Sequence, residues 1–137
     1  MPQKVSKITL SGSVDEIGYS QGELLKEQIW RVIEFYKALF LAGSRDESGV
    51  LESAGLFREK IKAYNPDYSV EIDHIALGAQ VSEPLWLYAL NARTEIALEG
   101  SALECTAVAF PEADLLCQTW DWARTLLDKY VIMQIDL

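Results

Sequence analysis

The chain has 137 residues, half of them apolar, which is enough for one domain with a core of its own. Twenty-one acidic residues against twelve basic ones leave a net charge of −9. With no cluster of lysine or arginine, that balance excludes nucleic acid and an anionic membrane as partners.

No apolar run approaches a membrane span, and no apolar segment follows residues 1–7 as it would in a secretory leader. Two cysteines without a Cys-x-x-Cys pair give neither a disulfide framework nor a zinc site. No glycine-rich phosphate loop or other cofactor signature is present. The class is an acidic α+β domain of the cytoplasm.

Lys7 to Leu10 reads as a short strand. Ser13-Val14-Asp15-Glu16 has the form of a capping box: the serine oxygen takes a free backbone N–H and the glutamate reaches back to the cap. The helix it opens carries Leu25, Ile29, Val32 with Ile33, Tyr36, and Leu39 with Phe40, a stripe at steps of three and four, and Gly43 with Ser44 ends it. Gly18 and Gly22, four apart in polar surroundings, predict close helix packing within the domain.

A second helix shows Val50, Ala54, Phe57, Ile61 and Tyr64 at helical spacing. Asn65-Pro66 stops it, because proline drives the preceding residue from helical angles. The third begins near Asp67, with Tyr68, Ile72, Ile75 and Ala79 inward. The fourth takes Ser82 as cap and Pro84 in its first turn, where the missing N–H costs nothing, and runs through Trp86, Leu87, Leu90 and Asn91 to about Leu98.

After Gly100 the period becomes extended. Residues 105–110 and 115–120 fit a hairpin around Glu112-Ala113, and 130–137, "YVIMQIDL", reads as a third strand. A bare apolar strand is an aggregation hazard that proteins pair or cover. The pattern therefore predicts the front part of a longer protein whose sheet continues past residue 137.

The hairpin holds the candidate chemistry. A four-residue loop sets Phe110 opposite Leu115 and Cys105 opposite Trp120; a three-residue loop sets Cys105 opposite Asp121. Either register keeps Asp121 within one rung of Cys105, and directly opposed Cβ atoms stand roughly 4.5–5.5 Å apart. A carboxylate beside a thiol disfavours the thiolate, so Asp121 is a poor activator of sulfur and a good anchor for a positive group. A free α-amine on Cys105 would be such a group. Its pKa of about 7.7–8.0 lets it give and take a proton near neutrality, as the base of an N-terminal nucleophile. That arrangement requires cleavage between Glu104 and Cys105.

Three stretches carry a family resemblance: "DEIGYSQG" (15–22), "LNARTEI" (90–96) and "ECTAVAFPEADLLCQTWDW" (104–122). In order and approximate spacing the chain resembles the N-terminal part of the acyl-coenzyme A:isopenicillin N acyltransferase-like proteins. These are N-terminal-nucleophile hydrolases that cut themselves before a cysteine. The resemblance implies an αββα sandwich, to which this chain contributes helices and the first strands. It implies a helical small-subunit region over 1–104 and the start of the catalytic sheet region over 105–137.

Cys105 would be the nucleophile, attacking the Glu104 carbonyl in self-processing and later carrying the acyl group. Asp121 would hold the cysteine amine, and Thr106 and Trp122 would line the acyl pocket. The partners implied are a small-molecule acyl donor and acceptor (an acyl-coenzyme A, a peptide or an amide) and the rest of the large subunit past residue 137. The chain departs from the family pattern at two positions: Glu104 stands where glycine is usual before the cysteine, and Thr119 where asparagine precedes Trp-Asp.

Each feature also has a structural reading. Cys117, inside the second hairpin strand, reads as a core residue. Asp121 alone would cap a turn, Trp120 and Trp122 would pack, and Arg93 and Glu95 would each take an ion-pair partner elsewhere. His74, the only histidine, would be solvated or in the core. The alternative for the whole protein is a non-catalytic α+β binding or scaffold module in which Cys105 stays internal and unprocessed.

Overall fold

The computed structural model describes residues 6–42, 46–97, 107–118 and 131–136. Strand β1 (Ser6–Ser11) leads into helices α1 (Val14–Leu24), α2 (Lys26–Ala42), α3 (Glu47–Tyr64), α4 (Pro66–Gly78), α5 (Leu85–Asn91) and α6 (Arg93–Ala97). Strands β2 (Ala107–Phe110), β3 (Leu115–Gln118) and β4 (Val131–Asp136) follow, with one 3₁₀ turn at Pro111–Ala113. The class is α+β. Among the described residues the strands form two separate pairs: β1 with β4, parallel, and β2 with β3, antiparallel.

The capping box forms at the start of α1, where the Ser13 backbone N–H and hydroxyl both donate to the Glu16 carboxylate, at 2.9 and 2.8 Å. The expected single first helix is two helices. At Leu25 the backbone turns to φ −107°, ψ 16°, and α2 starts afresh at Lys26.

The cause lies in the packing of α1 on α4. A methyl group added at Gly18 would stand 2.5 Å from the Glu71 carbonyl oxygen. One at Gly22 would press still closer on the Ile75 carbonyl, and one at Gly78 on that of Tyr19. The two backbones are interlocked through three glycines, as the Gly18/Gly22 spacing predicts. By contrast α2 packs on α5 and α6, so the chain must redirect between the two halves.

The core follows the helical stripes. Ile33, Tyr36 and Phe40 of α2, Val50 and Ala54 of α3, and Trp86, Leu87 and Tyr88 of α5 are buried, with Tyr88, Ile33 and Val50 the largest fully enclosed side chains. Burying side chains of this size is worth roughly 1.5–3 kcal/mol each. The Trp30 indole N–H donates to the Ala79 carbonyl at 2.9 Å, serving the end of α4.

The stripes over-reach in places. Tyr64 and Tyr68, expected inward, are 83% and 50% exposed: they flank the Asn65-Pro66 corner, where their rings lie against each other, 6.3 Å between centres. Leu39 is also exposed.

The last helix differs from expectation at its start and in its middle. Pro84, not Ser82, is the cap residue, and the Glu83 carboxylate accepts the free N–H of Leu85 at 3.1 Å. The helix breaks at Ala92 (φ −103°, ψ 24°), and α6 completes it. The expected stop at Gly43 and Ser44 lies outside the described residues. No described helix is long and apolar enough to cross a membrane.

Candidate functional site

The hairpin strands are Ala107–Phe110 and Leu115–Gln118, paired Phe110 with Leu115 and Ala107 with Gln118. Of the two registers open in the sequence, the loop is thus the four-residue one. Pro111 opens a 3₁₀ turn, and Asp114 closes it in the left-handed region (φ 46°), its N–H bonded to the Pro111 carbonyl at 3.3 Å. Aspartate tolerates that conformation better than most residues, so the turn is encoded locally.

Alternation puts Val108, Phe110, Leu115 and Cys117 on one face and Ala109 and Leu116 on the other. Both faces are exposed. Cys117, expected in the core, is a free thiol that is exposed among the described residues. Its strand has the apolar composition of a buried element, but no described residue covers it.

Glu104, Cys105, Thr106, Asp121 and Trp122 lie outside the described residues, as do Trp120 and Thr119. What is described is the turn-proximal part of the hairpin between them and the helices that lead to it. The "LNARTEI" stretch forms the junction of α5 and α6. The Asn91 side-chain amide donates to the Leu87 carbonyl at 2.9 Å. The Arg93 guanidinium lies 5.9 Å from the centre of the Tyr36 ring and donates to the Leu90 carbonyl at 3.4 Å. Ala92 and Ile96 are buried. The Tyr36 contact ties the end of the helical region to α2; Glu95 is exposed.

A polar cluster that the sequence spacing does not reveal joins α3, α4 and α5. Arg58 donates to Asp73 at 2.8 Å, and the Tyr88 hydroxyl lies 3.0 Å from the other Asp73 oxygen and 3.2 Å from the Ser69 carbonyl. The Arg58 guanidinium also sits 5.5 Å from the centre of the Tyr88 ring. The hydrogen bond to Asp73 holds the Arg58 guanidinium charged beyond its ordinary range. Burial raises the Tyr88 phenol, the bond to Ser69 opposes this, and the bond to Asp73 reinforces it. The three residues are 15 apart in sequence, so no local motif announces them. The only cue is a charge placed next to a core position, Arg58 after Phe57 and Asp73 after Ile72.

His74 faces an open groove of about 480 Å³ between β1, α1 and α4, lined by Ser11, Asp15, Glu16, Tyr19 and Ser20. Its Nδ1 donates to the Val70 carbonyl one turn back, at 2.8 Å. Hydrogen bonding to Ser13 lowers Asp15 below the usual carboxylate range, and His74 adds a smaller attraction. Glu16 is lowered by the Ser13 backbone N–H and hydroxyl. Among the described residues, no three His, Cys, Asp or Glu side chains gather as a metal site would require.

No protein-family model matches the chain. A curated relative from Emericella nidulans, described as "Acyl-coenzyme A:6-aminopenicillanic-acid-acyltransferase 40 kDa form", is 36% identical over 137 residues, an alignment covering 93% of this chain. The chain spans 37% of the length of that relative. The similarity runs through nearly all of the sequence, hairpin included.

Proposed function

We propose that the whole protein is an acyltransferase or amide hydrolase that works through an acyl-cysteine at Cys105 after cutting itself between Glu104 and Cys105. The observation that carries this reading is the likeness to the acyltransferase over 93% of the chain, which takes in the Cys-Thr hairpin and its Gln-x-Trp-Asp end. The four-residue loop adds support from geometry. If the ladder continues two rungs past Ala107 and Gln118, Cys105 stands opposite Trp120 and Asp121 is paired one rung further on. Alternation would then put the Asp121 side chain on the face opposite the sulfur. Its carboxylate would serve the amine of the cut chain and leave the thiol free to ionise.

In processing, the Cys105 sulfur attacks the Glu104 carbonyl carbon and the Glu104–Cys105 peptide bond breaks. The nitrogen takes the proton as it leaves, and water then hydrolyses the thioester. In turnover the freed α-amine accepts the thiol proton while the sulfur attacks the acyl donor. It returns that proton to the leaving group, and an amine or water removes the acyl group. Backbone N–H donors would hold the oxyanion. Thr106 and Trp122 would border the acyl group, and residues past 137 would complete the sheet and pocket. The αββα sandwich belongs to this proposal, and the exposed apolar faces of β2, β3 and β4 are the surfaces it would cover.

A short-chain acyl thioester with a labelled acyl group tests the reading. Full-length protein should retain the label on the polypeptide that begins at Cys105, and hydroxylamine should release it. A protein that is uncut and unlabelled, with an unreactive Cys105, would favour the non-catalytic module instead.

A further inference from the structure

The break at Leu25 has a consequence for the space between helices. α1 is clamped to α4 by glycines, α2 leans on α5 and α6, and between them a cleft of about 210 Å³ opens. Its walls are branched aliphatic side chains, Ile29, Val32, Ile72, Ile75, Leu87 and Leu90. Three amides, Gln21, Gln28 and Asn91, stand among them, and among the described residues no charged or aromatic group lines it. Asn91 gives one N–H to the Leu87 carbonyl, which turns the amide so that its oxygen can accept. A second groove of about 500 Å³ shares Gln21, Ile72, Ile75 and Asn91 with the cleft and extends past Tyr68 to Met133 of β4.

We propose that this cleft is a binding site for a neutral amphiphile: an aliphatic chain in the cleft, with an uncharged amide or ester head at the glutamine and asparagine side chains. The chain is selected by shape, since an aliphatic wall without an aromatic face offers dispersion and burial but no stacking. The head is selected by charge. Amides both donate and accept, so they satisfy an amide or ester, and the net charge of −9, with no cation among the described residues that line the cleft, opposes a carboxylate.

The inference goes beyond the acyl-cysteine reading and does not depend on it: the cleft lies wholly within α1, α2, α4 and α5. It is tested on the full-length Cys105→Ala protein, which under the acyl-cysteine reading cannot turn a ligand over. Octanamide should bind saturably, giving intermolecular nuclear Overhauser effects to the methyl groups of Val32, Ile75 and Leu87. Octanoate should bind at least tenfold more weakly at neutral pH. Gln28→Leu, at the partly exposed edge, should reduce that preference for the amide severalfold with an unchanged melting temperature. Val32→Phe should fill the cleft and abolish binding.

Octanamide that fails to saturate, contacts that map elsewhere, or octanoate binding as tightly as octanamide would each overturn the proposal. The contacts are read in protein with the cleft unaltered, so they decide the matter even if Val32→Phe does not fold. Failure of the cleft leaves the chemistry at Cys105 standing, and failure of cleavage leaves the cleft.

Discussion

The Tyr88 hydroxyl lies 3.0 Å from the Asp73 carboxylate, on a side chain with no exposed surface, while Arg58 holds the other oxygen of the same carboxylate at 2.8 Å. One aspartate therefore joins α3 and α5 to α4. A tyrosine buried this completely needs a partner for its hydroxyl, and the arrangement supplies two acceptors for its one proton, Asp73 and the Ser69 carbonyl.

Tyr88→Phe keeps the ring and removes the bond. It should destabilise the domain by about 1 kcal/mol, read as a lower urea midpoint with an unchanged slope. The phenol is raised by burial, so the folded state keeps its proton to a higher pH than the unfolded state does. The stability this contributes is complete below about pH 10 and is lost as the pH rises through the folded value. The alkaline fall in stability should accordingly be shallower in Tyr88→Phe than in the natural protein.

The Ser69 hydroxyl is buried without a hydrogen-bond partner among the described residues, although its carbonyl accepts from Tyr88. Ser69→Ala should be neutral or stabilising by up to about 1 kcal/mol in the same urea titration. A loss larger than that would mean that the hydroxyl has a partner.

The glycines of α1 and α3 should respond in opposite directions. Gly22→Ala drives a methyl group into the α4 backbone and should cost about 3 kcal/mol or more. Gly55 in α3 has open space where its Cβ would stand, so Gly55→Ala should stabilise by about 0.5–1 kcal/mol through helix propensity alone. Thermal melts of the two variants side by side check both signs.

At the other end of the pH scale, Asp15 and Glu16 are held below their ordinary range by Ser13. The stability they contribute is present above about pH 4.5 and is lost as the pH falls through the lowered folded values. Both groups are fully exposed, so the effect is small and salt-sensitive. Ser13→Ala should reduce the slope of stability against pH between about pH 5 and 2 and leave the slope above pH 6 unchanged.

The helical stripes were legible because each is a local periodicity. Ile33, Tyr36, Phe40, Val50 and Ala54 are buried as their spacing indicates, and the Gly18/Gly22 pair marks a close contact. The break at Leu25 was not, since no glycine or proline stands there; it follows from which neighbour each half packs on, a tertiary fact. Tyr64 and Tyr68 continue a stripe into the α3–α4 corner, where they lie against each other and stay exposed, which periodicity cannot register.

Cys117 looks like a core residue by composition, and its exposure depends on what lies over the hairpin. In the candidate site, the loop length was one of two alternatives in the sequence, and pairing of Phe110 with Leu115 selected between them. Glu104, Cys105, Thr106, Asp121 and Trp122 rest on the sequence pattern and the acyltransferase likeness.

The most direct measurement is the intact mass and N-terminal sequence of the purified full-length protein beside its Cys105→Ala variant. The account predicts two polypeptides from the natural protein, the second starting at Cys105, and one uncut polypeptide from the variant. A natural protein that turns over acyl substrate with the Glu104–Cys105 bond intact would contradict it.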